Sequence, residues 1–100
     1  EALHLLATIN DTVVGCGRIV FTNSQGKIGR VAVDKSYRKQ GIGSKICQEL
    51  MERAKAKGIE SIILHAQYDT VGFYKKLGFE EIGDTFQEAG IKHIKMIYEI

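Results

Sequence analysis

The chain contains no proline, only two cysteines, no low-complexity tract and no internal repeat, so nothing in it reads as a linker dividing its 100 residues. No apolar run approaches the roughly 20 residues of a membrane span, and the N-terminus lacks a basic region followed by an apolar core. A membrane partner is therefore not expected, and the chain reads as soluble and cytoplasmic. Cys16 and Cys47 form no Cys-x-x-Cys and have no histidine at a zinc-like spacing, so neither a metal site nor a disulfide scaffold is expected. Both cysteines read as buried thiols.

At this length one domain, residues 1–100, buries roughly 60 to 70% of its unfolded surface, enough for one core. Hydrophobic residues at 44% and charged residues at 26% are those of a globular chain. A net charge of +2 is too small to argue for nucleic acid, but it is unevenly spread. Lys27, Arg30, Lys35, Arg38, Lys39 and Lys45 face the single acid Asp34, whereas Glu80, Glu81, Asp84 and Glu88 occupy a stretch without any basic residue. A polyanionic and a cationic ligand would suit different ends of such a molecule.

The periodicities predict an antiparallel meander followed by a strand-helix-strand unit. Leu3 to Ile9 and Thr12 to Phe21 read as strands around an Asn10-Asp11 turn, and Ile28 to Val33 follows a polar turn at Thr22 to Gly26. Ile42, Ile46, Leu50 and Ala54 recur every four residues, joined by Cys47 and Met51, which marks a helix from Gly41 to Lys57 stopped at Gly58. Ile59 to His65 reads as a strand parallel to Ile28 to Val33, since the intervening helix is a crossover. A short helix is predicted over Asp69 to Leu77, capped by Asp69 or Thr70, before closing strands at Glu80 to Ile82 and Ile91 to Ile100.

The most informative segment is the break from Val31-Ala32-Val33 through Arg38-Lys39-Gln40-Gly41-Ile42-Gly43-Ser44 into the long helix. A helix start leaves backbone N–H groups unpaired and carries partial positive charge, and glycine lets an anion approach those amides closely. The segment is not a Walker loop, because no glycine precedes Gly43 at the required spacing. Nor is it a dinucleotide fingerprint, because Ile46 stands where the third glycine belongs. The order strand, Arg-x-x-Gly-x-Gly, helix resembles the acetyl-CoA-binding motif of the GNAT superfamily of N-acetyltransferases. Phe73-Tyr74-Lys75-Lys76-Leu77-Gly78-Phe79 resembles a second motif of that superfamily and follows in the right order, with Tyr74 thirty-one residues beyond Gly43. Phe86 to Met96 resembles the ElaA-like branch.

The resemblance covers nearly the whole chain and implies an α/β fold whose mixed, mainly antiparallel sheet is split by the cofactor and flanked by helices. Members usually begin with a strand and one or two helices, and this chain enters at the second strand, so an N-terminally incomplete core is expected. The implied function is acetyl transfer from acetyl-CoA to a primary amine by direct attack. The resemblance also implies that Val31 and Val33 hold the pantetheine arm through their backbones, and that Arg38, Lys39, Gln40, Gly41, Ile42, Gly43 and Ser44 surround the pyrophosphate. Tyr74 would protonate the departing thiolate, its alternative being a packing residue. Glu88 and His93 are both candidates for the general base, with His4 and His65 ranked behind them. Asp34 reads as capping or solvating the loop, and Tyr68 and Phe79 as core or cleft wall.

The acceptor, a small molecule or a protein amine, is not legible, and a homodimer is left open. Two rival readings are a non-catalytic acyl-CoA-binding or sensor module on the same fold, and phosphate binding to nucleic acid by the basic stretch. The second is disfavoured because no aromatic platform is interleaved with those charges.

Overall fold

The computed structural model describes residues 1–100. Strands β1 (Ala2–Ile9), β2 (Thr12–Thr22) and β3 (Gln25–Val33) form the expected meander. Asn10 and Asp11 both take positive φ, 50° and 65°, as a two-residue turn matched to strand twist requires. Helix α1 (Ile42–Ala56) crosses to β4 (Ser61–Gln67), the short helix α2 (Val71–Lys76) follows, and β5 (Glu80–Glu88) and β6 (Ile91–Glu99) close the chain as a hairpin. The six strands lie in the order β1-β2-β3-β4-β6-β5. Only β3 and β4 run parallel, so the sheet is mixed and mainly antiparallel.

Three local expectations are corrected. Strand β5 runs six residues past Ile82, because Gly83, at φ 78°, opens an irregularity that restores pairing at Phe86. All but one of its residues are exposed, so it lacks the alternating burial by which a strand is read. Helix α2 begins at Val71 after a 3-10 turn over Tyr68–Thr70, and it has no side-chain cap. The Thr70 hydroxyl instead donates to the Gln67 carbonyl at 2.7 Å. Finally, Cys16 is only half-buried, its thiol donating to the Arg30 carbonyl at 3.5 Å, whereas Cys47 is fully buried.

Helix α1 buries Ile46, Cys47, Leu50, Met51 and Ala54, and Ile46 and Leu50 join the core formed by Ile19, Ile28, Ile62, Leu64 and Met96. It approaches β2 closely because that strand offers glycine there: a Cβ on Gly17 would lie 2.6 Å from Ile46 Cγ2. The pairing that matters for function is the one that stops. Strands β3 and β4 are in register from Gln25 opposite Ser61 to Ile28 opposite Leu64, and no further. Just beyond, Arg30 and Val31 together oppose Gly17, and Arg30 takes the left-handed φ of 56°. Such a bulge bends a strand and sharpens its twist, so β3 turns away from β4 and the sheet splits.

Candidate active site

Strand β3 forms one wall of the split. The Asp34 N–H donates to the Val14 carbonyl at 2.7 Å, which fixes the strand's phase. By alternation Ala32 also points to β2, while Val31 and Val33 present their backbone groups to the split. Those groups form an unpaired edge that an amide-bearing arm can join as an added strand. At its upper end the Val33 carbonyl accepts from Arg38 Nε at 3.0 Å. Arg38 therefore braces the loop and keeps only its outer guanidinium N–H groups for a ligand. The Asp34 carboxylate accepts from the Ser36 N–H at 2.9 Å, the loop-capping role read from the sequence.

The loop ends in the start of α1. Lys39 and Gly41 take left-handed φ values of 66° and 80°, and no side chain caps the helix. The first helical bond runs from the Lys45 N–H to the Gly41 carbonyl at 3.1 Å, leaving the amides of Ile42, Gly43 and Ser44 without helical partners. A Cβ on Gly41 would meet nothing within 4 Å, so the space over this turn is open. Unpaired amides, open space and the nearby Lys39, Gln40 and Lys45 fit a diphosphate. Gly43 is different. Its Cβ would touch Phe73 Cζ at 3.5 Å and Val33 Cγ2 at 3.6 Å, so here glycine lets α1, β3 and α2 converge.

On the α1 side of the sheet, Phe73, Tyr74 and Phe79 stack edge to face at 5.0 and 6.1 Å between ring centroids. Phe79 is core, 2% exposed, and Tyr74 packs against that core. Burial, helped by neighbouring Cys47, pushes the Tyr74 phenol up to about 12. Burial likewise raises the Cys47 thiol to about 11. Both keep their protons at neutral pH. Tyr68, by contrast, is not core: it is 46% exposed, with Lys92 Nζ lying 4.3 Å above its ring.

The opposite face holds a second group of side chains. The His65 Nδ1 lies 3.1 Å from Glu88 Oε1. Phe86 meets His65 edge-on at 5.1 Å and stacks with His93 at 5.9 Å. His93 is 6% exposed and donates from Nδ1 to the Ile91 carbonyl at 2.8 Å. The two candidate bases, Glu88 and His93, thus belong to one cluster, and it includes His65, which was ranked behind them. The missed signal is positional: His65 follows Leu64, the last β4 residue paired with β3.

The family model of the GNAT acetyltransferase domain matches residues 1–100. The chain belongs to the GNAT acetyltransferase family. The protein YyaT of Bacillus subtilis is 39% identical to this GNAT domain over all of its residues, which span 68% of that protein. The crystal structure of Escherichia coli ElaA superposes with a TM-score of 0.89 at 27% identity, covering 98% of this chain and 68% of that one. An aminoglycoside 6'-N-acetyltransferase complexed with coenzyme A shares the fold at 20% identity, with a TM-score of 0.83, 99% of this chain and 73% of that one being covered. The GNAT domain described here thus spans about two thirds of the length of these proteins.

Proposed function

We propose that this GNAT domain transfers an acetyl group from acetyl-CoA to a primary amine by direct attack, without a covalent enzyme intermediate. The observation that carries the reading is the split beside an uncapped, glycine-opened helix start, with a protonated phenol on one side and an imidazole–carboxylate cluster on the other. The neighbour solved with coenzyme A supports an acyl-CoA as the donor. When bound, acetyl-CoA supplies a thioester whose carbonyl carbon is open to a nucleophile.

The protein's part is orientation and proton transfer. Amides at Ile42, Gly43 and Ser44, with Lys39, Gln40 and outer Arg38 donors, hold the diphosphate, and the Val31 and Val33 backbone aligns the arm along β3. The amine's nitrogen attacks from the face of the Glu88–His93 cluster, forming a C–N bond as the C–S bond breaks. The amine's proton passes to that cluster, and Tyr74 gives its own proton to the departing sulfur. Both groups then re-equilibrate with solvent. No helix is long and apolar enough to cross a membrane, and both cysteines are unpaired, which suits the cytoplasm.

Titration calorimetry of the full-length chain with acetyl-CoA tests the donor. Binding heat and a raised melting temperature are expected, since a ligand bound only by the folded state stabilises it. No heat and no shift at millimolar acetyl-CoA would remove the assignment.

A further inference from the structure

Within the cluster on the face opposite α1, the geometry points to His65, rather than Glu88 or His93 directly, as the group that takes the amine's proton, and to Glu88 as its positioning residue; this rests on the acetyltransferase reading above. Three observations carry it. The first is place. His65 stands on β4 one residue past the last β3–β4 pair, so it is at the mouth of the split. His93 lies on β6, opposite Gln67, one strand farther away, or about 4.8 Å. Burial along β4 alternates, with Ile62, Leu64 and Ala66 buried in the core, which assigns Ser61, Ile63, His65 and Gln67 to the other face. Tyr74 and His65 therefore flank the split from opposite sides, as needed when the leaving sulfur and the attacking nitrogen exchange protons with different groups.

The second observation is the tautomer. A carboxylate oxygen only accepts, so the 3.1 Å contact is a hydrogen bond donated by His65 Nδ1–H to Glu88. The lone pair then sits on Nε2, which has no partner in the protein, and a carboxylate behind an imidazole stabilises the imidazolium that forms on proton uptake. The third is support. Phe86 and Glu88 reach across β6, the ring edge packing on the imidazole at 5.1 Å, so the His65 ring is held from two sides. It remains reachable, its side chain being 29% exposed. His93 spends its Nδ1–H on the backbone of Ile91 at 2.8 Å and stacks on Phe86, which suits a supporting wall.

The ionisable groups on this face around His65 are Glu88 on β5, His93 and Lys95 on β6, and Lys27 on β3, the last paired with Ile63. The test is a pH profile of kcat/KM for amine acetylation by the full-length chain and its variants, with kcat and KM resolved separately, beside calorimetric acetyl-CoA binding. His65→Gln is expected to bind acetyl-CoA normally and lose about 10²-fold or more in kcat/KM at neutral pH. Its acid limb should move up to the amine's own ionisation, so the deficit shrinks as pH rises. Glu88→Gln keeps an oxygen for Nδ1–H but removes the charge. It should lose less than His65→Gln, and in kcat rather than in the amine's KM, a split that a merely structural Glu88 would not cause. His93→Gln, which removes the ring stacked on Phe86, should lose activity by the same factor at every pH, as a supporting wall would.

A His65→Gln protein within twofold of an active wild type, or a deficit equal at every pH, overturns the assignment. So does a large, pH-dependent loss in His93→Gln with His65→Gln unaffected. A wild type that binds no acetyl-CoA and acetylates no amine fails at the earlier step, the acetyltransferase reading itself, and is told apart by that.

Discussion

One hydroxyl distinguishes Tyr74 from phenylalanine, and the ring without it keeps its edge-to-face contacts with Phe73 and Phe79. Tyr74→Phe is therefore a clean deletion of a proton. If that proton goes to the leaving thiolate, kcat should fall by roughly 10² to 10⁴ while acetyl-CoA affinity changes little. Because burial holds the phenol near 12, well above its ordinary 10.0, the acid stays loaded across the working pH range. Wild-type kcat should accordingly show no basic limb from this group at neutral or mildly alkaline pH. A single-turnover rate unchanged by the substitution would make Tyr74 a packing residue. At this scale the sequence names Tyr74 as a candidate through its motif, and is silent on which side chains tertiary placement brings together. His65 and His93 look alike along the chain, and it is the end of one strand pairing that separates them.

Among the elements, the loop and start of α1 matter most, and the two glycines in it do different work. Gly41 is left-handed over open space, so Gly41→Ala should strain the backbone by about 1 kcal/mol without a clash. It should also weaken acetyl-CoA, because the new methyl would enter the open space over the turn in which the proposed diphosphate site lies. Gly43→Ala makes only ordinary contacts with Phe73 and Val33 and should be well tolerated, whereas Gly43→Val should crowd them. Calorimetry on the three variants, with melting curves to report folding, checks the ranking. Affinity lost equally in Gly41→Ala and Gly43→Ala would contradict it. The helix itself was legible because its four-residue apolar spacing survives in one buried face, Ile46, Leu50 and Ala54. Strand β5 was not legible past Ile82, since an exposed edge strand interrupted at Gly83 carries no two-residue pattern.

Taken as a whole, the molecule sets Tyr74 and the His65–Glu88 pair on opposite faces of a sheet that parts in the middle. The bulge at Arg30 is what makes it part, and no local pattern in Ile28 to Val33 marks it: the left-handed residue is an arginine, not a glycine. The uneven charge visible in the sequence is also resolved only partly into function. The basic side does surround the loop, but Arg38 braces it through Val33, and on the acidic side Glu81 pairs with Lys75 at 2.9 Å while Glu88 holds His65. The same fold could bind an acyl-CoA without turning it over, and only turnover separates the two. The most direct measurement is an acetylation assay of the full-length chain with acetyl-CoA and a panel of primary amines, following thiol release and acetylated amine together. One acetylated amine per thiol released, with both lost in His65→Gln and slowed in Tyr74→Phe, is the expected result; acetyl-CoA bound with calorimetric heat yet no amine acetylated by the wild type would contradict it.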